Sequence, residues 1–316
     1  MRQMDAASGV YRADALLALT DDTGLIQHSK YSLPDPQHGY SADDNARALL
    51  LAAELYARRK ERRYLDAAAR YARFLRYAQL PDGRFHNFLG YDRRWRDAVG
   101  SEDTLGRCVW GLGAASAVPA LPAGLRAALL AMLRAALPQA GRLHFVKAQA
   151  YALLSTATLA RPGRGQAIRA AERRLAAGDA VREEALARLV RQLTEQLLAA
   201  WEAERDGDWQ WFEPQLTYSN ALVPWALLLA SRLPEEVRRM RKEGGGVQAT
   251  AWADLADDAA CTSPRKRAER PCAPLISSRR IPCATASSFP SAVRDGGRKA
   301  RRRAHSTTSS PSRPMR

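Results

Sequence analysis

"HGYSADDNARALLLAAELYARR", His38 to Arg59, sets two acids, an amide and an arginine at the mouth of one of the most apolar helical runs in the chain. Ser41 followed three residues later by Asp44 reads as a capping box. The serine oxygen accepts an otherwise unpaired backbone N–H, and acids suit the positive helix end. That accounts for Ser41 and one acid. It leaves Asn45, Arg47, the second acid and the preceding His38 and Tyr40 without a structural duty. Residues 42–57 are apolar nearly all round, as expected of a helix buried on every side.

The next segment behaves differently. In "RRYLDAAARYARFLRYAQ", 62–79, Tyr64, Ala68, Tyr71 and Leu75 share one face while Arg62, Arg70, Arg73 and Arg76 decorate the rest. Such a helix packs on one side only. An inner helix is thus followed by an outer one, and the alternation repeats. "SEDTLGRCVWGLGAASA" (101–117) is a second inner helix and "PAGLRAALLAMLRAAL" (122–137) its amphipathic partner, with Pro122 in the first turn. "HFVKAQAYALLSTATLA" (144–160) and "REEALARLVRQLTEQLLAAWEAE" (182–204) form a third pair, separated by an insert expected to be an exposed excursion. "TYSNALVPWALLLASRL" (217–233) is a fourth inner helix without a following partner. Almost no strand signal competes, so the fold class is all-α. The stretches 24–33, 83–91 and 208–216 read as long connections at one end of the stack.

Composition divides the 316 residues in two. From about Arg241 the chain carries 16 Lys and Arg against 6 Asp and Glu, a net +10 of the total +16. Only 7 of those 76 residues are Leu, Ile, Val or Phe, too few to bury a core. The expected organisation is a helical domain over 1–240 and a disordered basic tail over 241–316. Cys261, Cys272 and Cys283 lie in that tail without CxxC pairs, and Cys108 sits alone in an apolar helix, so no metal site is expected. The start of the chain lacks a signal-peptide core and no segment has the apolar length to span a bilayer, which makes the cytoplasm the expected location and a membrane partner unexpected.

Every inner helix opens polar and continues apolar. Asp43, Asp44, Asn45 and Arg47 open the first; Glu102, Asp103 and Arg107 the second; His144, Lys147 and Gln149 the third; Tyr218, Ser219 and Asn220 the fourth. If the hairpins close around an axis, these turns converge on one rim, where helix N-termini favour oxygen-rich or anionic groups. Tyr31, Tyr40, Phe85, Phe88, Tyr91, Trp95, Trp209, Trp211, Phe212 and Tyr218 are concentrated in the connections. Flat aromatic faces beside carboxylates and amides suit a sugar ring, with its apolar C–H face and polar edge. The plain alternative is that the aromatics only pack the loops down.

The blocks "LTDDTGLIQHSKYSLPDPQHGYSADDNARALLLA", "GSEDTLGRCVWGLG" and "DWQWFEPQLTYSNALVPWALLLA" resemble the signature blocks of an α/α-toroid family related to the six-hairpin glycosidases. Members of that family are commonly fused to, or named after, bacterial glycosyltransferases and are encoded near mannoside phosphorylases. The resemblance covers roughly residues 17–232 and implies an (α/α)6-type toroid with a role in glycan metabolism. It also implies hairpins beyond Arg232 that this chain lacks, leaving the toroid incomplete. The abrupt change to Arg-, Ser-, Pro- and Ala-rich sequence is what an out-of-frame reading of a GC-rich gene looks like, and the tail is read as a frameshift product that leaves the activity of the chain open.

Glycoside cleavage needs two carboxyl groups, about 5–5.5 Å apart for a retaining mechanism and about 6.5–9.5 Å for an inverting one. Asp44 or Asp103 is the candidate proton donor or base, with Glu213 as the second carboxyl. His38, Tyr40, Asp43, Asn45, Arg47, Glu102, Arg107, Trp209, Trp211, Tyr218 and Asn220 are the candidate ligand-binding residues. Each has a structural alternative: capping for Asp44, a first-turn preference for Glu102 and Asp103, ion pairing for Arg47 and Arg107, and plain packing or solvation for His38 and His86. No GxSxG, P-loop, HExxH or GxGxxG occurs, and no cofactor is expected. Three functions follow: an oligosaccharide-active enzyme, a non-catalytic sugar-binding or scaffolding module serving a glycosyltransferase, and non-specific nucleic-acid binding by the tail, densest at "RKARRR" (298–303).

Overall fold

A computed structural model describes residues 13–161 and 183–238; the insert and the basic tail, with the expectations placed on them, lie outside the described residues. The described chain is mostly helical, with one small antiparallel sheet. After a short helix α1 (Asp14–Ala18) come strands β1 (Ile26–Lys30) and β2 (Leu33–Ser41), helices α2 (Ala42–Arg59) and α3 (Arg62–Ala78), and the two-residue strand β3 (Phe88–Leu89). Helices α4 (Glu102–Ser116), α5 (Ala123–Ala140), α6 (Val146–Ala160), α7 (Glu183–Glu204), α8 (Leu222–Ser231) and the single turn α9 (Glu235–Arg238) follow.

The alternation of all-round and one-sided apolar helices is realised as two layers. Helices α2, α4, α6 and α8 pack side by side in chain order, and α3, α5 and α7 each pack on the helix that precedes them. The first row is close-packed on small residues. A Cβ on Gly111 of α4 would meet the Ala46 carbonyl oxygen of α2 at 2.4 Å, and one on Gly113 would meet Ser155 Oγ of α6 at 1.9 Å. The core runs continuously through Leu49, Leu75, Leu112, Leu129, Leu133, Leu153, Leu193 and Leu227, and Cys108 is part of it, a buried thiol facing the Ala42 carbonyl.

The sheet corrects the all-α reading. The stretches 24–33 and 83–91 hold β1 and β3, and β2 (Leu33–Ser41) pairs between them in the order β1–β2–β3, with Ile26 opposite Tyr40, Lys30 opposite Leu33 and Tyr40 opposite Leu89. β1 buries only its first residue and β2 only its last three, so there is no apolar alternation for a period of two to reveal. Gly39 makes the β2–β3 approach possible, because a Cβ there would lie 2.2 Å from the Leu89 carbonyl oxygen. A second correction concerns α8, which begins at Leu222, so Tyr218, Ser219 and Asn220 belong to the preceding connection.

Candidate functional site

The polar first turns of α2, α4 and α6 meet the connection ahead of α8 in an ion and hydrogen-bond network. Its centre is Arg107, one turn into α4. Its Nη1 donates to Asp43 Oδ2 of α2 at 2.5 Å, and its Nη2 lies 3.2 Å from Asp103 Oδ2 on its own helix. The guanidinium carbon stands 5.2 Å from the Tyr151 ring of α6 and 5.6 Å from the Tyr218 ring. Burial works against this charge, but Tyr151, Asp43 and Asp103 outweigh it and hold the guanidinium above its ordinary range.

Tyr218 closes the network from the connection ahead of α8. Its hydroxyl donates to Asp103 Oδ2 at 2.5 Å, and its ring also lies 4.9 Å from Lys147 Nζ. Burial and then the Asp103 carboxylate push this hydroxyl above the usual tyrosine range, so it keeps its proton. Lys147, in the first turn of α6, is buried and donates to Glu213 and, at 2.6 Å, to Thr217 Oγ1. Three carboxylates, Asp43, Asp103 and Glu213, therefore face two cations and a phenol. Ligand hydroxyls could accept from the cations and donate to the carboxylates or to the Tyr218 oxygen.

Glu102 lies beside this network and has a separate task. It accepts the backbone N–H of His144 at 2.7 Å and of Phe145 at 3.0 Å, and its other oxygen contacts the His144 ring. Burial pushes its pKa up, and these donors pull it down further, below the ordinary glutamate value. It anchors the entry to α6.

Asp44 holds the capping position read from the sequence, and Asp43, a binding candidate, makes the bridge between helices. Asp44 spends its oxygens within its own helix start, on Ser41 Oγ at 2.5 Å and on Arg47, and its N–H is capped by Ser41 Oγ. Asp43 accepts from Ser41 Oγ at 2.7 Å with one oxygen and reaches α4 with the other. Arg47 is 48% exposed at its side chain and stays on α2, outside the Arg107 network. The N-terminus of α2 offers no free donors to a ligand: Asn87 accepts the N–H groups of Ala42 and Asp43, and Ser41 that of Asp44.

Other candidates are structural. Tyr40 is buried and donates to Asp21 Oδ2 at 2.5 Å. Asn45 is buried, accepts the Leu25 N–H at 2.9 Å and donates to the Ser41 carbonyl at 2.8 Å, pinning β1 to α2. His38 lies on the exposed part of β2 against His28, while His86 bonds the Asp97 carbonyl and stacks on Trp95. Trp209 donates from Nε1 to the Glu213 carbonyl at 3.0 Å, bracing the residue that holds Lys147. Trp211 packs edge to face on the buried Phe212, and Asn220 closes the loop through the Thr217 backbone.

Tyr151 and Thr217 were not foreseen, since a tyrosine inside an apolar helix and a threonine in a loop carry no signal of their own. Lys147 was legible as a cation opening a buried helix. Among the described residues no group of three His, Cys, Asp or Glu side chains is arranged to hold a metal ion, and no helix is long and apolar enough to cross a membrane. No protein-family model matches the chain, and no curated protein matches it.

Proposed function

We propose that the chain is a carbohydrate-active protein of glycan metabolism, a six-hairpin glycosidase-like domain in which four of six inner helices of an (α/α) toroid are present. Its ligand is an oligosaccharide, manno-oligosaccharide by the resemblance. The observation that carries this reading is the Asp43–Arg107–Asp103–Tyr218 chain beside the Lys147–Glu213 pair, which gathers donors and acceptors from three neighbouring helices and one loop. Asp103 and Glu213 are the carboxyl pair for cleavage. Asp44 leaves the catalytic set because both its oxygens are used at the helix start. The test is turnover of manno-oligosaccharides by the whole chain and by Asp103→Asn and Glu213→Gln variants. Loss of turnover with retained binding supports the enzyme; no turnover in any form, with binding, supports a module.

One observation favours that second reading, a non-catalytic binding or scaffolding domain associated with a glycosyltransferase. Each carboxylate of the network is already held by a cation. General acid catalysis needs a carboxyl that keeps its proton, and a neighbouring cation favours the ionised form.

A further inference from the structure

We propose that Trp225, backed by Trp110 and the buried Tyr151, forms an aromatic ledge that takes the second ring of a bound saccharide; this rests on reading the Arg107 network as the saccharide site. Trp110 stands three residues beyond Arg107 on α4, about 4.5 Å further along the helix axis, a step comparable to one pyranose ring. It stacks on Tyr151 of α6 with ring centres 5.7 Å apart and planes 18° from parallel. Trp225 of α8 meets Trp110 edge to face at 6.1 Å and 82°. The Arg107 guanidinium covers the Tyr151 ring. Side chains from three consecutive helices of the row thus run unbroken from the charged network to an open indole.

Packing covers the two inner members of this file and leaves the outer one open. Tyr151 is buried and Trp110 half-buried, whereas Trp225 is 48% exposed. The buried face of α8 is Val223, Ala226, Leu227 and Ala230, and at about 100° per residue Trp225 falls on the opposite side. An indole left open at the far end of an aromatic file that begins at the charged network suits a ring with an apolar C–H face and a polar edge. The network would hold the hydroxyls of the first ring and the ledge the C–H face of the next, so the site selects for two linked rings over one.

The experiment is isothermal titration of the whole chain with mannose and β-1,4-mannobiose, and with glucose and cellobiose as the epimeric pair, in wild type, Trp225→Ala, Trp225→Phe and Asp103→Asn. Wild type is expected to bind the disaccharide about tenfold more tightly than the monosaccharide. Trp225→Ala should erase that gain and leave the monosaccharide unchanged, Trp225→Phe should keep most of it, and Asp103→Asn should weaken both sugars. If Trp225→Ala binds disaccharide like wild type while Asp103→Asn does not, the ledge is overturned and the network reading stands. If Asp103→Asn has no effect while Trp225→Ala loses the disaccharide, the ledge stands and the network reading falls. Absence of binding to all four sugars overturns both.

Discussion

Arg107 of α4 reaches 64 residues back in the chain to place its Nη1 2.5 Å from Asp43 Oδ2, and so ties the first turns of two neighbouring helices together. The same guanidinium serves Asp103, so one cation neutralises two carboxylates that would otherwise repel each other at 18% and 22% exposure. Arg107→Ala leaves both acids without their partner. The expected cost is about 3 kcal/mol, the low end for breaking a buried pair because the acids keep some solvent. Urea unfolding of the variant beside Asp43→Asn, which should cost less because the cation keeps Asp103, measures it.

The close contact of α4 with its neighbours predicts opposite outcomes for two glycines. Gly111→Ala drives a methyl into the Ala46 carbonyl, a backbone atom that cannot step aside. Roughly 2–3 kcal/mol of destabilisation is expected from such overpacking. At Gly124, in the first turn of α5, an added Cβ meets nothing within 4 Å. There alanine should be neutral or stabilise by about 0.5–1 kcal/mol, because it restricts the unfolded chain. Thermal melts of the two variants would reverse the argument if Gly111→Ala were the more stable.

Lys147 predicts a local effect. It is buried, and its donors fix Glu213 and Thr217 of the connection ahead of α8. Lys147→Met should keep the stem's packing while releasing residues 208–221, so amide exchange in that segment should rise more than in α2 or α4. Uniform exchange across the chain would show that the ion pair does not hold the connection.

The pH dependence has two limbs. Glu102 has a folded pKa below its ordinary value, so its contribution to stability is complete above the ordinary glutamate pKa and is lost as pH falls through the lowered one. Glu102→Gln should therefore flatten the acid limb of a stability profile. Tyr40 and Tyr218 are shifted upward, Tyr40 by burial first and the Asp21 hydrogen bond second. Their contribution is complete below the ordinary tyrosine pKa and is lost as pH rises toward the raised ones. Tyr40→Phe should lower stability at neutral pH and flatten the alkaline limb; an unchanged alkaline limb would mean that folding does not raise the Tyr40 pKa above its value in the unfolded chain.

The helices were legible because burial on all sides and burial on one side leave different periodic marks, and Ser41 announced the start of α2 by its chemistry alone. Seven helix expectations, over 42–57 to 217–233, match α2 to α8 apart from their ends. The strands were not legible, because β1 and β2 are largely exposed and pair through backbone groups that any residue carries. The late start of α8 was hidden too, since Tyr218 and Asn220 continue a helical-looking run until Ser219 takes a φ of 54°.

For the candidate site, the sequence alone determined the acids and cations that could take part, because a polar first turn opens each of α2, α4 and α6, but not Tyr151 or Thr217. Which of them meet was decided only by the tertiary structure. Asp43 and Asp44 are adjacent and chemically alike and both accept from Ser41 Oγ, but successive helical positions point about 100° apart, so Asp43 alone reaches α4 while Asp44 pairs with Arg47 on its own helix. Tertiary packing likewise put Asn45 of α2 and Tyr40 of β2 into the core and brought Tyr151, Trp110 and Trp225 into one file from three helices. Periodicity reports whether a face is buried; which neighbour buries it depends on packing between segments far apart in the chain.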